Sequence, residues 1–101
     1  MLDGRTDTAA NGTAHSLRID RLLFFLRLAK SRSLAQKWVE QGHMRLNGVR
    51  VTTAHHPVRV GDVLTLPPIL GAPTGVRLIR VTALPHRRGP AAEAQSCYCE
   101  Q

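Results

Sequence analysis

The sequence predicts an α+β domain in which a helical hairpin packs against a small, mainly antiparallel β-sheet. Two patterns carry that prediction. Ile19, Leu22, Leu23, Leu26 and Ala29 recur at the spacing of one helix face. Met44-Arg45-Leu46 and Val49-Arg50-Val51 alternate apolar and basic residues around Asn47-Gly48, the pair best suited to a two-residue hairpin turn. Length adds a limit: 101 residues support one domain, and a domain of this size buries only roughly 60% of its unfolded surface, which leaves no room for a large substrate cavity.

Along the chain, residues 1–16 mix Asp, Gly, Thr, Asn and Ala without periodicity and are expected to be a disordered leader. Order is expected from Leu17, with a folded domain over 17–84. In the first helix Phe24, Phe25 and Leu28 surround Arg21 on the side that a peripheral helix keeps polar, so packing on two sides is expected. Lys30-Ser31-Arg32-Ser33 interrupts the pattern. Either serine suits the N-cap of a second helix, and Ser33 with Gln36 has capping-box spacing. Leu34, Ala35, Trp38 and Val39 form its buried stripe, and Gly42 is placed as a left-handed C-cap. After the hairpin come a Gly61-Asp62 turn, a strand at Val63–Leu66 ended by Pro67 and Pro68, a loop with Gly71, Pro73 and Gly75, and a last strand at 76–81. Residues 85–101 read as a tail with room for a short helix starting at Pro90.

The net charge is +7, with 14 Lys and Arg against 7 Asp and Glu. Its location is more telling than its size. Between Leu17 and Arg88 lie 13 cations and only three acids, Asp20, Glu40 and Asp62, a net of +10. An arginine-rich compositional bias replaces Lys by Arg but does not remove acids, so the imbalance points to a polyanionic partner. No run approaches the roughly 20 apolar residues that span a bilayer, and the first sixteen residues hold no apolar signal core. A cytoplasmic protein without membrane contact is expected.

Catalytic equipment is not expected. The three acids of the folded part are far apart in sequence, Ser31 and Ser33 are explained as caps, and no phosphate-binding glycine loop occurs. Cys97 and Cys99 are too close to bridge without strain, and the histidines show no spacing that would complete a metal site, so free thiols and no metal or cofactor are expected. What is left is binding. Sheet platforms for single strands need exposed aromatics on strands, whereas Phe24, Phe25 and Trp38 fall on helices and Tyr98 in the tail. Arg and Lys at helix starts, with the free backbone amides there, are instead suited to the phosphates of a structured RNA. Asp20 reads as a brace for Arg21 or for the helix start, Arg77 and Arg80 as a solvated strand face, and Arg87 and Arg88 as an auxiliary contact.

The runs Arg18-Ile19-Asp20-Arg21-Leu22-Leu23, Lys30-Ser31-Arg32-Ser33-Leu34-Ala35-Gln36, Gly42-His43-Met44-Arg45-Leu46-Asn47-Gly48 and Val60-Gly61-Asp62, in that order and spacing, resemble the S4-type RNA-binding domain. The resemblance covers about Leu17 to Leu66 and implies the S4-type (alpha-L) fold. Arg87-Arg88-Gly89-Pro90-Ala91 with Glu93-Ala94 and Tyr98 further resembles the end of a family of stand-alone, ribosome-associated bacterial heat-shock proteins. That resemblance implies a non-enzymatic binder of structured RNA (rRNA or tRNA) on the large ribosomal subunit, acting in recycling or rescue under heat stress. The RNA-contacting set it implies is Arg18, Arg21, Lys30, Arg32, Lys37, Arg45 and Arg50. The long basic C-terminal extension of better-known members is missing here, and Phe24-Phe25 stand where a tryptophan is commoner. The alternative is an accessory subunit that docks on an RNA-modifying enzyme or other protein and lends it RNA affinity.

Overall fold

The computed structural model describes residues 15–67 and 77–101. The leader expected over 1–16 lies outside these residues except for His15 and Ser16, as does the loop holding Gly71, Pro73 and Gly75. The elements in chain order are β1 (Leu17–Arg18), α1 (Ile19–Phe25), α2 (Arg32–Glu40), β2 (Met44–Leu46), β3 (Val49–Val51), β4 (Pro57–Val58), β5 (Val63–Leu66), β6 (Arg77–Val81), α3 (Ala91–Gln95) and β7 (Tyr98–Glu100). β2, β3, β5, β6 and β7 form one sheet in the order β3-β2-β5-β6-β7, every neighbouring pair antiparallel. β1 and β4 make a separate two-stranded bridge.

All five residues of the expected helix face are buried: Ile19, Leu22, Leu23, Leu26 and Ala29 join Ala35, Trp38 and Val39 of α2 in the core. The helix itself stops early. Arg27 takes a left-handed conformation, φ 63°, and Leu28 and Ala29 turn back to donate to the carbonyl of Leu23. Ala29 therefore reaches the core from beyond the helix. The second side of α1 is covered, as its composition required, and the cover is Arg88. Its guanidinium lies 4.4 Å from the Phe24 ring centre and donates to the Phe24 and Ala29 carbonyls at 2.6 and 3.1 Å. It thereby adds a second donor to the Phe24 carbonyl, which also accepts from Arg27 N–H, and ties the Ala29 carbonyl beyond the helix end to the same group. Arg27 adds a bond to Gly89 O, at 2.9 Å.

Ser31 caps α2, its hydroxyl accepting from Leu34 N–H at 3.1 Å. The Ser33–Gln36 capping box does not form: with Ser31 as N-cap, Ser33 lies inside the helix, and Gln36 donates to a tertiary partner described below. Gly42 has φ +82° and closes α2 with the paired bonds Gly42 N–H to Val39 O and His43 N–H to Trp38 O, the Schellman pattern that needs a left-handed residue. Asn47 and Gly48 have φ 51° and 85°, as a two-residue turn of the tightest type requires. Asn47 also fastens the turn to β5, accepting from Val63 N–H and donating to Asp62.

The C-terminal segment corrects the sequence reading most. The short helix starting after Pro90 is present, but residues 98–100, read as tail, form an edge strand paired with β6 through Ile79, Arg80 and Val81. Cys97 is buried in the core beside it, Cys99 is exposed, and both thiols are free. The two cations read as auxiliary contacts have separate roles: Arg88 is a strut, whereas Arg87 is exposed and ion-paired with Glu93 at 2.9 Å.

Arg88→Ala is expected to destabilise the domain by about 2–3 kcal/mol, the scale of charged hydrogen bonds to carbonyls plus a cation–π contact. Arg87→Ala should stay within about 1 kcal/mol, as for exposed ion pairs. Urea unfolding of the two variants measures the difference.

Candidate nucleic-acid interface

The candidate site is organised by a carboxylate. Asp20 lies in the first turn of α1 and is 0% exposed, the one charged side chain in the buried class among the described residues. Arg18, the N-cap residue of α1, reaches it with Nε at 2.6 Å and Nη2 at 2.9 Å. The N–H of Arg21 donates to it at 2.7 Å and Gln36 Nε2 at 3.0 Å. Arg32 stands at the start of α2 with Nη2 3.8 Å away. One carboxylate thus ties the end of β1, the start of α1 and two successive turns of α2.

Burial pushes the Asp20 carboxyl up, but the hydrogen bonds from Arg18, Gln36 and the Arg21 N–H, with the positive charge of Arg18, outweigh it and hold the group below the usual carboxylate range. The bond to Asp20 outweighs desolvation at Arg18 as well and raises that guanidinium's pKa. Both groups are charged at neutral pH.

The remaining amides of α1's first turn are also taken: Ile19 N–H donates to His56 O and Asp20 N–H to Ala54 O. The expectation that free amides at this helix start meet phosphates is therefore not met. Side-chain cations are what this region offers. Arg18 and Arg32 keep 36% and 41% of their side chains exposed while facing Asp20, and Arg32 Nε is buried without a hydrogen-bond partner. Arg21 is half-buried beside them, and Lys30 and Lys37 are exposed, on the interhelix link and on the outer side of α2.

Arg45 and Arg50 belong to a different part of the molecule. They sit directly opposite each other on β2 and β3, an arrangement of like charges that costs a few tenths of a kcal/mol or more in a sheet. Both are exposed. Arg45 Nη1 donates to Gly48 O at 3.3 Å, and the stem of Arg50 packs where Gly42 lacks a Cβ, which would lie 3.3 Å from Arg50 Cδ. The seven cations are therefore split: Arg18 and Arg32 face Asp20, Arg21 follows it on α1 and touches it only through its backbone N–H, Lys30 and Lys37 lie along the interhelix link and α2, and Arg45 and Arg50 are on the hairpin. The sequence reading missed the depth of Asp20's role. Its position at i+2 from Arg18 was the available signal, while the approach of Gln36 and Arg32 is tertiary.

Among the described residues, no three His, Cys, Asp or Glu side chains gather in a way that could hold a metal ion, and no helix is long and apolar enough to cross a membrane. Leu26, Arg27, Leu28, Arg77, Ala91, Gln95 and Tyr98 line a shallow cavity of about 360 Å³. Its Arg77 is ion-paired with Glu100.

A helical pair braced by a buried acid, cations turned outward and a short antiparallel sheet define an S4 domain. The chain belongs to the S4-domain family: the model of that RNA-binding domain matches residues 17–64. Within the family it is similar to Heat Shock Protein 15 of Vibrio cholerae, solved as a trimeric structure, with a TM-score of 0.76 and 32% identity covering 85% of this chain and 82% of that one. It is also similar to the small ribosomal subunit protein uS4 of Gloeobacter violaceus, 41% identical over 51 residues, and of Opitutus terrae, 44% identical over 45 residues. These matches cover 50% and 45% of this chain but 25% and 22% of the relatives, so the chain spans about a quarter of their length.

Asp20→Asn should lower stability at pH 7 by on the order of 2 kcal/mol, because several donors lose their ionised acceptor. Since the folded carboxyl titrates below its unfolded value of about 4, its contribution is complete above that pH and is lost as pH falls through the folded pKa. Unfolding curves between neutral and strongly acidic pH should show that loss in the wild type and not in Asp20→Asn.

Proposed function

We propose that the protein is a non-enzymatic binder of structured RNA, in particular ribosomal RNA of the large subunit, and that it acts in ribosome recycling or rescue under heat stress in the cytoplasm. The observation that carries the proposal is the set of outward cations around Asp20 on an S4 domain. One acid neutralises part of the charge of Arg18 and Arg32, and Arg21, Lys30 and Lys37 have no acidic partner among the described residues. Similarity to uS4 supports a ribosomal target, and similarity to a heat-shock protein supports the stress setting. The choice of the large subunit follows the resemblance of the Arg87-to-Tyr98 segment to ribosome-associated heat-shock proteins.

Mechanistically, phosphate oxygens supply the acceptors that the cations lack. Arg32 is already held at the start of α2, so its planar fork is aimed before RNA arrives and loses less freedom on binding. Its Nε is buried, so an approaching phosphate meets the exposed remainder of the side chain. Recognition by such contacts follows backbone shape and not base identity.

Removing Arg18 is a poor test, since Asp20 would lose its shortest hydrogen bond. Arg21, Lys30 and Lys37 are the informative positions. Replacing them together by Gln should leave the melting temperature close to wild type and reduce the log–log salt dependence of rRNA binding by about 0.7–0.9 per lost contact. Sedimentation with separated ribosomal subunits, before and after heat shock, tests the target. Association with the large subunit supports the proposal, and association with the small subunit or with a stoichiometric RNA-modifying enzyme overturns that part of it. Absence of rRNA binding at low salt overturns the whole.

A further inference from the structure

Strand register sorts the side chains of the main sheet onto two faces. Met44, Val51, Leu64, Leu66 and Ile79 point inward and share the core with α1 and α2. The residues between them point the other way. Arg50 lies opposite Arg45, Arg45 opposite Thr65 and Thr65 opposite Leu78, so these four form one row across four strands. Two residues along, Val63, Arg80 and Cys99 form a second row. Arg45, Arg50, Leu78, Arg80 and Cys99 are exposed.

Three arginines therefore share this outer face, and its two rows include no acid. Glu100 stands opposite Ile79 on the inward rows and pairs with Arg77. Asp62, at the rim, already has both oxygens engaged, one by Asn47 and one by the N–H of Arg59. The arginines are held by neutral groups: Arg45 by Gly48 O, and Arg80 by Gly61 O at 3.1 Å and Gln101 Oε1 at 3.5 Å. Such contacts orient a guanidinium without cancelling its charge. Two strand spacings separate Arg45 from Arg80, about 10 Å across the sheet, so an extended anion can meet both.

We propose that the outer face of the sheet is a second RNA-contacting surface, formed by Arg45, Arg50 and Arg80 on the strand positions turned away from the core, and that Arg80 is one of its phosphate contacts. The inference rests on the RNA-binding role proposed above and extends it from one surface to two. An extended polyanion is the occupant that three uncompensated guanidiniums, two of them oriented by neutral acceptors, fit. Thr65 and Leu78 between them offer a hydroxyl and an apolar surface for the sugar side of the strand.

The test is the salt dependence of rRNA binding by the full chain carrying Arg80→Gln, Arg80→Lys, Lys37→Gln or Arg87→Gln, each with its melting temperature. Arg80→Gln is expected to lower the log–log slope by about 0.7–0.9 without a matching loss of stability, and Arg80→Lys to keep the wild-type slope. Arg87→Gln removes a cation already paired with Glu93 and should leave the slope unchanged. Arg80→Gln and Lys37→Gln combined should lower it by the sum of their separate effects, as independent surfaces do. An unchanged slope in Arg80→Gln while Lys37→Gln lowers it overturns the second surface and leaves the helix surface standing. Equal losses in Arg80→Gln and Arg87→Gln overturn it too, since net charge alone would then be responsible. Failure of the wild type to bind rRNA at low salt instead overturns the RNA-binding role itself.

Discussion

A single buried carboxylate holds the helical part of this domain in register. The folded stretch from Leu17 to Arg88 has 13 cations and three acids, and of those acids only Asp20 is buried. It receives donors from β1, α1 and α2. A buried acid with fewer partners would shift its pKa upward and neutralise. Here the donors reverse that shift, so the charge persists where it can orient two arginines. Asp20 thus links folding to function: the contacts that join the helices also fix the direction of Arg18 and Arg32.

The same dual use recurs at the other end of α1. Arg88 comes from a segment more than 60 positions from Phe24 in sequence and ties the end of the helix by donating to the carbonyls of Phe24 and, beyond it, Ala29, while its guanidinium covers the Phe24 ring. In a chain this small the apolar core does not also cover the side of the helix that carries Phe24 and Phe25, both of which stay half-buried. A cation whose planar fork both stacks and donates fills that role. β7 completes the arrangement by anchoring the segment to the sheet, so the last residues belong to the domain and are not an appendage.

Much of this was legible in the sequence, and the exceptions share a cause. The buried face of α1, the C-cap at Gly42 and the Asn47-Gly48 turn depend on local spacing and backbone preference, and all three are present. Gln36 was read as half of a capping box because its local spacing fits, but Asp20 offers it an ionised acceptor from another helix. Residues 98–100 are too few to show a strand period, and only pairing with β6 makes them a strand. Arg88 reads as an auxiliary contact because the local pattern shows that the Phe24 side needs a cover but not which distant residue supplies it. The candidate site divides in the same way: the seven cations come as a set from the resemblance, whereas their separation into helix and hairpin groups follows from the tertiary fold.

The charge excess then has a structural meaning beyond its sum. Like charges are placed directly opposite on β2 and β3, where an uncharged pair would stabilise the sheet, and the helix cations surround an acid that balances only part of them. A domain selected for stability alone would place acids beside these arginines, since surface substitution is inexpensive. The few acids present are used for internal tasks: Asp20 braces the helices, Asp62 fixes the turn around Asn47 and Arg59, and Glu93 and Glu100 tie the last segment through Arg87 and Arg77. Almost every carboxylate whose contacts are seen is engaged in holding the fold, while most cations on the helices and the outer sheet face are left facing solvent. That division of labour is what a polyanion-binding domain requires, because an anionic partner completes the charge balance that the folded chain leaves open.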